Sequence, residues 1–187
     1  MQAFRREAFR YTAYFCEENI WWAARDLVDA GCDASHMQVL LFTNPSASVM
    51  LCNQRAAPEG EATVWDYHLV LQARIAGAVQ ILDLDTRLDF PVSREAYVQN
   101  TFPRQAALPE YNRAWVRVIP ALAYLEHFYS DRSHMQGHVP ASAFPDYPVI
   151  RPRAGVKAID LEAYRDIHRD LPDGSEVFPL AAWFPGA

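Results

Sequence analysis

Cys16, His68 and Asp83 stand in that order along a chain of 187 residues: a thiol, an imidazole and a carboxylate. Together they are the parts of a nucleophile, the base that serves it and the group that orients the base. A thiol attacks a carbonyl carbon only as thiolate, and the free N–H groups and positive dipole end of a helix N-terminus favour that anion. Cys16 opens a segment that reads as such a helix. Behind it Ile20, Ala23, Ala24, Leu27 and Val28 recur at helical spacing and Gly31 supplies a stop, which predicts a helix of about 14 residues. Glu17 and Glu18 suit a first helical turn, yet their charges would oppose thiolate formation if they faced Cys16. They are expected to point away from it or to bind a cation.

His68 and Asp83 fall in strand-like runs. MQVLLFT (Met37 to Thr43), SVMLCN (Ser48 to Asn53), TVWDYHLVLQ (Thr63 to Gln72) and VQILDLD (Val79 to Asp85) are separated by Asn-Pro, Pro-Glu-Gly and Ala-Gly turn signals. Connections this short predict a mostly antiparallel sheet and hence an α+β fold. Alternation puts His68 on one face with Asp66 and Val70, and Asp83 with Ile81 and Asp85. With a four-residue loop, Arg74 to Gly77, His68 stands opposite Asp83; with a two-residue loop, Ala76 and Gly77, it faces Asp85 and lies diagonal to Asp83. A three-residue loop without a bulge would put Asp83 on the other face. Trp65 and Tyr67 alternate with His68 and read as core aromatics on the opposite face, and Trp21 and Trp22 as packing or groove walls.

Further along, Trp115 to Ile119 reads as a strand. Pro120 then suits the first position of a helix ALAYLEHFY with Leu122, Leu125 and Phe128 on one side. Asp160 reads as the N-cap of a helix LEAYRDIH. Pro140, Pro145, Pro148 and Pro152 mark an irregular surface segment. No internal repeat or low-complexity tract interrupts the chain, and its length predicts one domain over 1–187, able to bury roughly 70% of its unfolded surface.

Composition narrows the function. Net charge is −6, from 17 basic and 23 acidic residues, and no basic run marks a nucleic-acid binder. No signal-peptide core or membrane-length apolar stretch stands out. The expectation is a soluble, cytoplasmic monomer, nuclear as well in a eukaryote, with neither nucleic acid nor membrane as partner. Cys16, Cys32 and Cys52 make neither an even set nor a CxxC pair, which suits a reducing compartment. Cys32 and Cys52 read as small buried apolar side chains. His127, Asp131, His134 and His138 lie close in sequence, but they have no helical HExxH frame and no cysteine partner, so they read as loop histidines; no metal and no cofactor is expected. Three cysteines and six histidines allow several Cys-His-acid triplets, and spacing alone does not choose among them.

Motif context does choose. YFCEENIWW (Tyr14 to Trp22), VWDYHLVL (Val64 to Leu71), DLDT (Asp83 to Thr86) and SDRSHM (Ser130 to Met135) occur in order, and together they resemble the protein N-terminal glutamine amidohydrolases, or N-terminal glutamine amidases. The resemblance is strong from about Tyr11 to Met135 and weaker to Phe184. It implies a catalytic triad of Cys16, His68 and Asp83 and a papain/transglutaminase-like architecture in which the helix carrying the Cys packs on the sheet carrying His and Asp. The implied reaction is hydrolysis of the side-chain amide of a protein's or peptide's free N-terminal glutamine, giving glutamate and ammonia through a thioester. Many relatives carry a second cysteine two places before the nucleophile; here it is Tyr14. The stretch Gln136 to Tyr147 has little family character.

A terminal glutamine is told from an internal one by a buried acceptor for its ammonium. Glu17, Glu18 and Asp131 are the candidates, although Asp131 equally suits a cap or a tie within its own loop. The backbone N–H of Cys16 is a natural oxyanion donor. The same triad would also serve a deamidase or transglutaminase acting on internal glutamines, or a protease, and a non-catalytic reader of amino termini is the remaining class.

Overall fold

The computed structural model describes residues 4–185. Its frame is one six-stranded sheet in the order β10-β7-β1-β4-β5-β6, every neighbouring pair antiparallel. The strands are β1 (Met37–Thr43), β4 (His68–Ile75), β5 (Ala78–Leu82), β6 (Val92–Ser93), β7 (Trp115–Pro120) and β10 (Glu176–Pro179). A separate hairpin pairs β2 (Val49–Cys52) with β3 (Ala62–Trp65), and β8 (Phe128–Tyr129) lies parallel to β9 (Ile159–Asp160). The helices are α1 (Cys16–Asp29), α2 (Arg94–Thr101), α3 (Ala121–His127), α4 (Leu161–Arg165) and α5 (Leu180–Trp183). Mixed helices and a mostly antiparallel sheet make the fold α+β, and no described helix is long and apolar enough to cross a membrane.

Alternation along the strands divides the core in two. Val39, Leu41, Leu69 and Leu71 bury against α1 and α3. Leu40, Phe42, Val70 and Val116 bury against α2 and α5 on the other face. Helix α1 begins and ends where periodicity puts it. In α3, however, the buried residues are Ala121 and Tyr124, followed by Phe128 just past its end, and Leu122 is 55% exposed. Tyr124 stacks on Phe128 with ring centroids 4.6 Å apart, and this aromatic pair sets the inward face. Asp160 caps α4 as expected, accepting from the Ala163 N–H at 2.8 Å, though the helix stops at Arg165.

The run from Thr63 to Gln72 is not one strand. It breaks at Asp66 and Tyr67, because its first part pairs with β2 and its second with β1. Thr43 holds the bend by donating its hydroxyl to the Asp66 carbonyl at 2.7 Å. The hairpin from β4 to β5 turns on Ala76 and Gly77, whose φ values of 51° and 86° are what a mirror-image two-residue turn needs. That is the shorter of the loops compatible with a His–Asp contact.

Candidate active site

Cys16 is the first residue of α1. The approach to it is built by Tyr14, which turns the chain with φ 73°, and by Asn19, whose side chain bonds both the N–H and the carbonyl of Thr12 at 2.8 Å. The thiol packs beside β4, with the Leu69 N–H against it. His68, the neighbour of Leu69, begins β4 and is fully buried, with the Trp65 ring 4.9 Å from its own. Its Nε2 lies 3.1 Å from Asp83 Oδ1, an ion-pair contact without the alignment of a full hydrogen bond, and Nδ1 has no hydrogen-bond partner among the described residues.

Asp83 sits just beyond the end of β5, not on it. Its Oδ1 also accepts the Asp85 N–H at 2.8 Å, and its Oδ2 accepts the Tyr97 hydroxyl at 2.8 Å and the Gln54 amide at 3.4 Å. Backbone bonds from Arg55 to Asp85 and from Arg87 to Asn53 pin this turn to the segment after β2. Asp85 accepts the Tyr11 hydroxyl at 2.6 Å.

The two glutamates are both fully buried and have opposite fates. Glu18 takes a forked pair of bonds from Arg132, each 2.8 Å, and one from Ser130 at 2.6 Å, so its oxygens are satisfied within the chain. Glu17 turns toward the thiol, with Oε2 3.7 Å from Sγ, and so does not point away as expected. Packing of α1 on β4 leaves it no exit to solvent, and Tyr67 donates to the same Oε2 at 3.1 Å. His134 Nε2 lies 3.4 Å from Glu17 Oε1 and 3.2 Å from the Tyr67 hydroxyl. Among the described residues Glu17 Oε1 has no hydrogen-bond partner. Asp131 is exposed and accepts the Ser133 N–H and hydroxyl at 2.8 and 2.7 Å, tying its own turn. CEEN and SDRSHM therefore interlock: Ser130 and Arg132 hold one glutamate, and His134 reaches the other. A cavity of about 790 Å³ opens beside His134, bordered by Thr43, Asn44, Asp131 and Arg165. Cys16, His68 and Glu17 are not among the residues that line it.

The N-terminal glutamine amidase family model matches residues 11–181. The chain belongs to this family. It is similar to the protein N-terminal glutamine amidohydrolase of Danio rerio, 34% identical over 143 residues that cover 72% of this chain and 70% of that one. The human protein of the same name is 34% identical over 134 residues, 70% of this chain and 65% of its own. That of Arabidopsis thaliana is 31% identical over 153 residues, 76% of this chain and 69% of its own. The chain thus matches about two thirds of the length of these relatives.

For this N-terminal glutamine amidase family member the electrostatics differ from the expectation of a thiol with a lowered pKa. Burial, then the charges of Glu17 and Asp85, push the Cys16 thiol well above its ordinary value, and the Leu69 amide works against them. Burial opposes charge on His68, but Asp83 outweighs it and raises the imidazole. Burial likewise opposes charge on Asp83, while His68, the Asp85 N–H and the Tyr97 hydroxyl lower it.

Among the described residues one His/carboxylate set could ligate a metal: His68, Asp83 and Asp85, with ligand atoms within 4.8 Å of one another. His127, Asp131, His134 and His138 do not come together in this way. Tyr67, Tyr97 and His134 are the polar groups that sequence reasoning missed. Tyr67 is a polar partner of Glu17 and not only a core aromatic; it escapes the alternation because the strand breaks beside it. For His134, membership of SDRSHM was the available signal.

Proposed function

We propose that this protein hydrolyses the side-chain amide of a glutamine at the free amino terminus of a protein or peptide, releasing ammonia and leaving glutamate. His68 takes the thiol proton through Nδ1 as Cys16 Sγ attacks the carboxamide carbon, and the Cys16 N–H steadies the oxyanion. The tetrahedral adduct expels ammonia, which leaves with the proton returned by His68. Water, deprotonated by the same imidazole, then hydrolyses the thioester and frees the thiol. Asp83 orients His68 and balances its charge.

The observation that carries this reading is the buried His68–Asp83 contact at 3.1 Å, directly behind the amide that touches Cys16, in a member of this family. The names of the relatives supply the substrate. Of the three candidate receptors for the terminal ammonium, Glu17 is favoured. Glu18 has its oxygens filled and Asp131 is committed to Ser133, whereas Glu17 keeps a buried oxygen free of donors. About four bonds separate the ammonium from the carboxamide carbon, a span of roughly 5 Å, which suits a carboxylate whose other oxygen, Oε2, lies 3.7 Å from Sγ. We read residues 1–187 as one domain with a papain/transglutaminase-like arrangement, acting as a cytoplasmic monomer.

The test is ammonia release from a peptide starting with Gln, measured against its N-acetylated copy and a copy starting with Asn. The Gln peptide is expected to turn over and the other two to remain. Equal rates on the acetylated copy, or turnover of an internal glutamine, would instead select a general deamidase or transglutaminase.

A further inference from the structure

We propose that His134 is a specificity-determining residue that competes, as imidazolium, with the substrate's terminal ammonium for the Glu17 carboxylate, so that the amino terminus docks with release of a proton from His134. This rests on the reading of Glu17 as the ammonium receptor.

The geometry supplies one cation-capable nitrogen facing two oxygens. A phenol has a single proton, and that of Tyr67 goes to Glu17 Oε2 at 3.1 Å. The Nε2 of His134, 3.2 Å from the same phenol oxygen and 3.4 Å from Glu17 Oε1, must then bring its own N–H to this corner. No donor completes a hydrogen bond to Oε1. A wholly buried carboxylate without a full complement of donors is costly, and the His134 imidazole, 3.4 Å from Oε1, is the group beside it able to take on a positive charge. The His134 side chain is 24% exposed and borders the cavity, so solvent protons reach it.

The other groups facing His134 set how strongly it holds that proton. Glu17 reaches it from α1, Tyr67 and Asp66 from the bend before β4, Arg165 from α4 and Asp131 from its own loop. Arg165 opposes the charged ring but is itself paired with Asp66 at 3.0 Å. Burial also opposes the charge, and the contact and charge of Glu17 outweigh it. An arriving ammonium brings a second positive charge to the same carboxylate in a buried corner, and two like charges there are not tolerated together. The imidazolium gives up its proton and the ammonium takes its place. An acetylated or internal glutamine brings no charge and displaces nothing.

The decisive measurement is calorimetric binding of a Gln-starting peptide to the full-length Cys16→Ala protein, in buffers of different ionisation heat, with and without a second substitution, His134→Gln. On the acid side of the His134 titration, the Cys16→Ala protein is expected to release close to one proton per peptide bound. Its affinity should weaken by up to about tenfold for each unit the pH falls. Adding His134→Gln removes that proton release and flattens the affinity with pH. Release that persists undiminished in the double variant overturns the proposal while leaving N-terminal glutamine hydrolysis standing. If the unsubstituted protein frees no ammonia from the Gln peptide, the functional reading itself falls and takes this one with it.

Discussion

Two buried corners flank the thiol, and they are finished differently. On the Asp83 side every carboxylate oxygen has a partner: Oδ1 meets His68 and the Asp85 N–H, and Oδ2 meets Tyr97 and Gln54. On the Glu17 side one oxygen is held by Tyr67 and the other has no hydrogen-bond donor. Glu18, one residue on, shows that α1 is not short of donors at this level, since Arg132 and Ser130 fill it. Burial without donors costs more than burial with them, so an acid left incomplete beside a nucleophile reads as a receptor, and one fully enclosed reads as a fixed part.

The largest effect should come from breaking the enclosed corner. Asp83→Asn keeps the shape but removes the charge that fixes the His68 tautomer, and kcat on a Gln-starting peptide should fall on the order of 10³- to 10⁴-fold with the circular dichroism spectrum unchanged. A variant within tenfold of the parent would mean that the enclosure is structural only. Next in size is Glu18→Ala. It strands the Arg132 guanidinium, which also spans to the Pro145 and Tyr147 carbonyls, and should cost about 3 kcal/mol in denaturant melts. If Glu18→Ala and Glu17→Gln cost the same stability, the contrast between the two glutamates is lost.

Glu17→Gln should act on recognition instead. Losing a charge-assisted contact to the ammonium should raise KM for the free-amine peptide roughly 10- to 100-fold, narrowing its margin over the acetylated copy. It should also let the thiol ionise at lower pH, because the Glu17 charge is one of the groups pushing it up. Alkylation of Cys16 would then quicken at a fixed pH near neutrality. A kcat loss equal on both peptides would place Glu17 on the carboxamide and not on the amino terminus.

How much of this was legible in the sequence divides along the same line. Helix α1 follows from periodicity, because it buries one continuous apolar face, and strand β1 from its short unbroken apolar run, because it is buried on both faces. Parity left the His68–Asp83 contact conditional on loop length, and the Ala76–Gly77 turn is one of the two loops that permit it, although β5 ends before Asp83. The Glu17 corner was not legible. It depends on a strand that breaks at Asp66 because its halves join different sheets, and on a loop 117 positions away in sequence that returns His134 to α1. Local alternation carries no information about which strand a segment will pair with. The central place of β1, between β7 and β4, was hidden for the same reason. CEEN suggested that its acids point away or bind a cation; Glu18 binds Arg132, whereas a Glu17 turned toward the thiol was beyond reach.

The smallest expected effect tests whether the enclosed corner tunes His68 as well as holding it. Because burial, Glu17 and Asp85 keep the thiol neutral, activity needs His68 unprotonated to receive its proton, and the acid limb of kcat/KM tracks the loss of a proton from the imidazolium. Asp83 raises His68, and Tyr97 is among the donors that disperse the Asp83 charge. In Tyr97→Phe, Oδ2 keeps only the 3.4 Å contact with Gln54, so more of the charge bears on the imidazolium and stabilises it. His68 should then hold its proton to higher pH, and the acid limb should move up while the plateau kcat changes little. A limb that stays in place would make Tyr97 a packing residue of α2, and a limb that moves down would mean that the lost hydrogen bond had loosened the His68–Asp83 contact instead of sharpening it.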